Sequence, residues 1–205
     1  MRCHQNGDLA EAEEFYNKSI AISSKNPVAL INLGVIYKMS GRLSLAVDCY
    51  QRAIQCCPDS QEAYSNLGNL LQLQGKLAEA LDVTQKAIAL DDSSPDAHLN
   101  LGVILKDLNR YKEAFEALSK AIHLKSDFAE AHCHLGLLFH QCTQYEEAKI
   151  HLEHALKIKP SDQLSLQGLG QTLLSMGYHK EALTCLQKAV GSIRFNVERG
   201  IELCR

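Results

Sequence analysis

Residues 27–60, PVALINLGVIYKMSGRLSLAVDCYQRAIQCCPDS, decide the fold. Four residues in the first half lie at helical spacing and form one apolar stripe: Leu30, Leu33, Gly34 and Tyr37. Gly41 interrupts the stripe. The same spacing then resumes with Leu43, Ala46, Val47, Tyr50, Ala53 and Ile54. Pro58 has no backbone N–H with which to continue a helix, so the segment predicts a hairpin of two helices.

The hairpin recurs along the chain with a fixed period of 34 residues. The Leu-Gly pair at residues 33 and 34 returns at 67 and 68, 101 and 102, 135 and 136, and 169 and 170. Alanine keeps the same period in the second helix, as Ala46, Ala80, Ala114, Ala148 and Ala182. A 34-residue period with this pattern is the tetratricopeptide signature, and the chain resembles the tetratricopeptide repeat (TPR) family.

This resemblance implies an all-α fold, a right-handed solenoid of stacked antiparallel helix pairs whose first helices line a concave groove. The register divides the chain into a partial first repeat, four complete repeats, a partial sixth repeat and a C-terminal capping tail: 1–26, 27–60, 61–94, 95–128, 129–162, 163–190 and 191–205. No strand is expected. The array therefore behaves as one run of repeats, each of which contacts only its neighbours.

The two ends depart from the repeat. Gly7 occupies the place of Gly41, so Met1 lies nine positions into a repeat and the first helix is incomplete. The helix predicted at 8–24 lacks its partner, which predicts self-association through it and indicates a fragment or short isoform. Within Ser192 to Arg205, four apolar residues predict a short amphipathic helix that caps the array: Ile193, Val197, Ile201 and Leu203.

Glycine occupies two recurring places. Inside the first helix, at 34, 68, 102, 136 and 170, it costs about 1 kcal/mol relative to alanine, which predicts close packing against the alanine positions. In the turn between helices, Gly41, Gly75 and Gly177 suit a left-handed backbone, as does Asn109. Thr143 is the exception at this position.

Composition narrows the function. The net charge is −3, which gives no long-range attraction to nucleic acid. No apolar run approaches the roughly 20 residues that cross a bilayer, and the opening residues lack the apolar core of a signal peptide. The eight cysteines have no paired spacing, so we expect reduced thiols and a cytoplasmic or nuclear protein.

No catalytic or cofactor motif survives inspection. Between Gly68 and Gly75 there are six residues where a phosphate loop requires four, and the glycines at 168 and 170 follow no strand. One helix carries a metal-like cluster, namely His132, Cys133, His134, His140 and Cys142. Cys133 and His140 share a face but lie about 10.5 Å apart along it. His151 and His154 alone do not complete a metal site, so we expect neither metal, cofactor nor enzyme activity.

The residue before each Leu-Gly pair is the strongest binding candidate. It is polar in four repeats, as Asn32, Asn66, Asn100 and His134, and becomes Gly168 in the last. By resemblance these side chains line the concave groove, where asparagine offers a donor and an acceptor to an extended peptide backbone. The alternative interpretation is that the asparagines bond within or between repeats. The name "asparagine ladder" is used below for Asn32, Asn66 and Asn100.

A second row lies beside the ladder at equivalent positions, namely Lys38, Gln72, Lys106 and His140. Glu62, Asp96 and Glu130 lie near helix starts, where a favourable dipole interaction of about 0.3–1 kcal/mol explains them without a ligand. The carboxylate clamp by which family members bind chaperone tails falls on Ser65, Asn69, Asn100, Glu130 and His134. Only Asn69 and Asn100 match it, so binding of chaperone C-terminal tails is not expected.

Two functions remain. The first is a non-catalytic scaffold that binds an extended or helical segment of another protein in the groove through the two rows and Asn69. The second is the substrate-selecting arm of a larger enzyme. The Asn-Leu-Gly copies and the segment 124–132 look like the repeat arm of protein O-linked N-acetylglucosamine transferases.

Overall fold

The structure, a computed structural model, describes residues 8–190, 192–196 and 200–204. This described part contains eleven helices: α1 Asp8–Ile22, α2 Pro27–Met39, α3 Leu43–Cys56, α4 Gln61–Leu73, α5 Leu77–Leu90, α6 Pro95–Asp107, α7 Tyr111–Leu124, α8 Ala129–Gln141, α9 Tyr145–Ile158, α10 Gln163–Ser175 and α11 His179–Val190. The predicted all-α class and its helix pairs are confirmed for the repeats. None of the described helices combines the length and apolar character needed to span a membrane.

The chain forms two compact units, Met1–Leu108 and Asn109–Arg205. In the first unit, α2 packs on α3 and α4 on α5, and the pairs contact each other through α3 and α4. Its core includes Tyr50 and Leu70, both fully buried. In the second unit, α8 packs on α9 and α10 on α11, around a core that includes Leu152. Each unit thus buries the apolar stripes that the sequence places on neighbouring helices.

Helix starts follow the repeat as closely as the core does. The residue before four of the first helices accepts a hydrogen bond from a backbone N–H in the first turn, through the side chain of Asn26, Ser60, Ser94 or Asp162. The bond from Ala29 to Asn26 Oδ1 measures 3.1 Å. Such a cap is worth about 1 kcal/mol. Phe128 stands at the equivalent position before α8 and provides no side-chain cap.

The turn between the two helices of a repeat uses a left-handed residue. Gly41 and Gly75 have φ of 74°, and Asn109 has φ of 59°. Thr143 adopts φ of 61° at the same place despite its branched side chain. A left-handed conformation costs a residue with a Cβ roughly 1–2 kcal/mol, so the repeat geometry imposes strain at Thr143.

The helical glycines allow close packing, as predicted, but their partner differs from the expected alanine side chain. A Cβ placed on Gly34 would lie 2.5 Å from Cε1 of Tyr50, and one on Gly136 would lie 2.7 Å from Cγ of Leu152. These partners lie one turn beyond the recurring alanine. The alanine contributes its main chain instead, since the carbonyl oxygen of Ala148 is 3.0 Å from the same position on Gly136.

The C-terminal segment contradicts the expected helix and the expected absence of strands. Strands β1 (Ser192–Asn196) and β2 (Gly200–Cys204) pair antiparallel, with Ile193 opposite Leu203. Apolar residues alternate with period two inside each segment, which favours a strand, and Gly200 disfavours a helix through this region. The capping role of the segment stays a prediction.

Helix α1 covers most of the predicted helix at 8–24. Phe15 on this helix is 68 % exposed, whereas Cys49 and Ala117, at the same repeat position, are 2 % and 6 % exposed. This position is therefore exposed on α1, whereas α3 and α7 bury it. Gly7 and the rest of residues 1–7 lie outside the described residues, and self-association stays a prediction.

Candidate functional site

A polar groove of about 400 Å³ lies in the first unit, along helices α2, α4 and α6. It is lined by Lys38, Gln61, Glu62, Ser65, Asn66, Asn69, Ser94, Asp96 and Asn100. Four residues proposed from the sequence are therefore brought together here, two of them from the asparagine ladder. Asn32, the third ladder residue, lies on α2 and is not among the residues that line the groove. This set is called the α4–α6 groove below.

Asn66 and Asn100 occupy equivalent places on α4 and α6, 34 residues apart. Both are partly exposed. Neither side chain forms a hydrogen bond with any residue that the structure describes. A carboxamide carries two N–H donors and an oxygen acceptor, so both residues keep this capacity for an external partner. Bonding of these side chains within or between repeats, the alternative interpretation, is not observed among the described residues.

Lys38 and Asn69 bind each other across two repeats. The Lys38 ammonium donates to Asn69 Oδ1 at 2.6 Å, which ties α2 to α4 at the edge of the groove. Burial lowers the pKa of Lys38. The neutral acceptor does not cancel the charge, and Lys38 remains the cation of this groove.

The other members of the second row in this unit also link repeats. Gln72 Nε2 donates to Asp107 Oδ2 at 2.8 Å, which connects α4 with α6. Lys106 Nζ lies 3.4 Å from Oδ1 of the same carboxylate. Asp107 thus partly neutralises Lys106, and neither Gln72 nor Lys106 lines the α4–α6 groove.

In the second unit the sequence-proposed residues His134 and His140 lie on α8, and both are partly buried. His140 Nδ1 lies 3.0 Å from the hydroxyl oxygen of Thr172. That hydroxyl donates its single hydrogen to the carbonyl oxygen of Gly168 at 2.8 Å. His140 Nδ1 must therefore carry the proton and donate, so His140 links α8 to α10.

Three histidines from helices α8 and α9 lie together in the second unit, namely His132, His151 and His154. His132 Nδ1 lies 3.1 Å from His151 Nδ1, and the His132 and His154 ring centres are 4.1 Å apart. His132 Nε2 lies 3.2 Å from the carbonyl oxygen of Ser126, to which it must donate. Neutral His132 then accepts from His151 through Nδ1. Within the described ranges, no three His, Cys, Asp or Glu side chains are arranged to hold a metal.

Because of this histidine cluster, we expect the stability of the chain to fall with pH already at pH values above those at which carboxylates titrate. Burial is the largest cause of the lowered pKa of His132 and His151, and the neighbouring histidines lower it further. The unfolded chain therefore binds more protons as pH falls below about 6.5, so stability rises with pH. We expect a lower melting temperature at pH 5.5 than at pH 7.5, measured by circular dichroism.

The matched variant is His132→Leu, because Leu30 and Leu166 occupy this repeat position elsewhere. It should lose less stability between the two pH values than the unchanged chain. His179→Gln, at an exposed histidine, serves as the control and should behave like the unchanged chain. An equal loss in His132→Leu would contradict the role of the cluster. Staying above pH 5 avoids the titration of Glu13 and Glu130, whose pKa values are lowered by Arg42 and Lys159 respectively.

Sequence reasoning missed part of the groove lining. Gln61, Ser65 and Ser94 were not proposed as site residues, and Glu62 and Asp96 were assigned to the helix dipole alone. A signal was present, because Glu62 and Asp96 precede Asn66 and Asn100 by four residues each. That spacing places each acidic residue on the same helix face as the asparagine one turn later.

Comparison with curated proteins found no match. Among solved structures, YrrB, described as a TPR protein with an unusual peptide-binding site, is 23 % identical with a TM-score of 0.64, over 87 % of this chain and 92 % of YrrB. TTC0263, a thermophilic TPR protein from Thermus thermophilus, is 22 % identical with a TM-score of 0.73, over 81 % and 91 %. A chain of the APC/C hetero-tetramer Cut9-Hcn1 is 19 % identical with a TM-score of 0.84, over 90 % of this chain but 37 % of that one. These likenesses show the fold.

A match to a protein family covers more of the sequence than any single motif discussed above. The family model of the cilia and flagella-associated protein 70 C-terminal domain matches residues 3–194. The matched range includes the four complete repeats and every residue of the α4–α6 groove. The chain therefore belongs to the family of the cilia and flagella-associated protein 70 C-terminal domain.

Proposed function

We propose that the chain is a non-catalytic interaction module that binds an extended segment of another protein in the α4–α6 groove. The observation that carries this proposal is the pair Asn66 and Asn100, which line one groove and make no hydrogen bond with the described residues. Both side chains are partly exposed, so water hydrates them in the free protein, and a partner can replace that water with direct hydrogen bonds.

An extended backbone is the partner that best fits these two side chains. Each residue of a peptide backbone offers one N–H and one C=O, and a carboxamide binds both at once. Asn66 and Asn100 present the same donors and acceptor on the first helices of two neighbouring repeats. Binding through the backbone is largely independent of the partner's sequence, so specificity must come from the other groups of the groove.

The family supports a partner in the cilium or flagellum. In place of the general cytoplasmic or nuclear location, we propose that the protein is located at the axoneme. The alternative, a substrate-selecting arm of a glycosyltransferase, rests on the resemblance of the sequence alone. Self-association through α1 and the lack of chaperone-tail binding stay predictions of the sequence.

The test is the double variant Asn66→Ala/Asn100→Ala. The partner segment is identified by cross-linking in axonemal extract, synthesised with a fluorescent label and titrated by anisotropy. Loss of hydrogen bonds worth about 0.5–1.5 kcal/mol each should lower the affinity roughly ten- to a hundredfold. Because neither side chain bonds to the described residues, helicity and melting temperature should barely change.

Gln51→Ala/Gln55→Ala is the matched control, since both carboxamides are exposed on α3 outside the groove. This control should bind like the unchanged chain. A double asparagine variant with reduced stability and undiminished affinity would reverse the assignment, because that pair of results belongs to asparagines that hold the repeats together.

A further inference from the structure

Most polar groups of the α4–α6 groove already have a partner inside the protein. Lys38 donates to Asn69, and Gln61 Nε2 donates to the hydroxyl oxygen of Ser65 at 3.1 Å. The Ser94 hydroxyl oxygen caps helix α6 by accepting from the Ala97 N–H at 3.3 Å. These bonds reduce what the groove offers a ligand. The groove side chains without any hydrogen bond or ion pair among the described residues are the carboxamides of Asn66 and Asn100 and two carboxylates.

The two carboxylates are Glu62 on α4 and Asp96 on α6, both exposed. Neither forms a salt bridge with the residues that the structure describes. Glu130, at the equivalent position of a later repeat, does form one, with Lys159 Nζ 3.0 Å from its Oε1. Lys159 follows Glu130 by 29 residues, and the residue 29 positions after Glu62 is Asp91. Glu130 on α8 is therefore neutralised by a lysine of the protein itself, whereas Glu62 on α4 is not.

The side chains that line the groove therefore carry a net negative charge. Two carboxylates, Glu62 and Asp96, stand against one ammonium, Lys38, which gives a formal charge of −1. Each carboxylate lies one helical turn before a ladder asparagine, on the same helix face. A backbone that bonds to Asn66 and Asn100 consequently passes beside both carboxylates. Basic side chains on that backbone would complement them.

The distance between the two helices that carry the carboxylates suggests a spacing for the basic residues. Helices α4 and α6 contact each other, and the axes of packed helices lie about 8–10 Å apart. An extended polyproline-type segment rises about 3.1 Å per residue with three residues per turn, so positions i and i+3 point to one side about 9 Å apart. The rise from i to i+3 therefore matches the distance between the axes of α4 and α6.

We propose that the α4–α6 groove selects extended segments with Arg or Lys at positions i and i+3, which pair with Glu62 and Asp96 while Asn66 and Asn100 bind the backbone. This proposal rests on the proposed function and adds the chemistry of the partner to it. Asn66 and Asn100 hold the segment, and Glu62 and Asp96 read its side chains.

The test uses three fluorescein-labelled decapeptides with the central sequence Arg-Gln-Pro-Arg, Gln-Gln-Pro-Gln or Glu-Gln-Pro-Glu, titrated by anisotropy at low salt. The Arg peptide should bind on the order of tenfold more tightly than the Gln peptide, and the Glu peptide should bind least. Raising the salt concentration should weaken the Arg peptide most, since exposed ion pairs are screened. A fourth peptide with the arginines at i and i+4 should bind less tightly than the first.

Two double variants separate the two parts of the proposal. Glu62→Gln/Asp96→Asn should abolish the preference for Arg over Gln and leave the weaker common binding. Glu79→Gln/Asp59→Asn makes the same change of net charge outside the groove and should keep the preference. Asn66→Ala/Asn100→Ala should weaken the Arg and Gln peptides by a similar factor.

Several outcomes overturn the inference. They are equal binding of the Arg and Gln peptides, a preference that survives Glu62→Gln/Asp96→Asn, and absence of binding by all of the peptides. If the asparagine variant still weakens the axonemal segment in those cases, the proposed function stands without this selectivity. A preference that depends on the carboxylates with no effect of the asparagine variant would instead contradict the proposed function.

Discussion

Replacement of Tyr50 by alanine is expected to lower the free energy of unfolding by about 3–5 kcal/mol, the cost of deleting a large buried aromatic side chain. Tyr50 is fully buried in the core of the first unit. Its ring lies against Gly34, where even one added carbon would collide with it. The ring thus fills the space between α2 and α3 that the glycine leaves open. Chemical denaturation followed by circular dichroism measures the loss.

Tyr50→Phe is the matched control because it removes only the hydroxyl group. That oxygen is buried and has no hydrogen-bond partner among the described residues, and burial raises the pKa of Tyr50. Removing an unsatisfied buried polar group is neutral or stabilising. Tyr50→Phe should therefore be at least as stable as the unchanged chain. A large loss in Tyr50→Phe would show that the hydroxyl, and not the ring, supports this core.

Replacement of Gly136 by leucine is expected to destabilise the second unit by about 3 kcal/mol through overpacking. The added side chain would enter space held by Leu152, which is fully buried, and by the main chain of Ala148. A main-chain atom cannot rotate away as the end of a flexible side chain can. Leucine is the better helix former by about 0.8–1 kcal/mol, so a loss of stability cannot come from helix propensity. The melting temperature and denaturation midpoint report the effect.

The double variant Gly136→Leu/Leu152→Ala tests whether the contact is the cause. It moves the leucine from α9 to α8 and keeps the total volume nearly constant. Leu152→Ala alone should cost about 2–5 kcal/mol by leaving a cavity. If the two residues share one space, the double variant should lose clearly less than the sum of the single losses. Strict additivity would mean that Gly136 and Leu152 act independently.

The helix pairs could be predicted from the sequence because their signals are local and repeated. The 34-residue period places the stripe that contains Leu30 and Leu33 on one helix face without any knowledge of the partner. The strands at 192–196 and 200–204 were missed because a few apolar residues fit both a helical and an alternating pattern. Within so short a segment, the two periods are hard to tell apart.

The site was only partly predictable. The period identified Asn66 and Asn100 as equivalent positions facing one way, and both line the α4–α6 groove. It did not reveal that Lys38 is engaged by Asn69, since that bond depends on which residue the next repeat places opposite. The acidic residues Glu62 and Asp96 were assigned a local role because a helix dipole explains any carboxylate in a first turn.

The sequence by itself determined the repeat register, the helix pairs and the resemblance to tetratricopeptide repeats, because each follows from residues close together in the chain and repeated along it. Only the tertiary structure decided which equivalent side chains are satisfied. Glu130 is paired with Lys159 while Glu62 is not, and His132 meets His151 from a different helix. Such pairings join residues from separate helices, and a hydrogen bond or ion pair forms only where packing brings two particular atoms within about 3 Å.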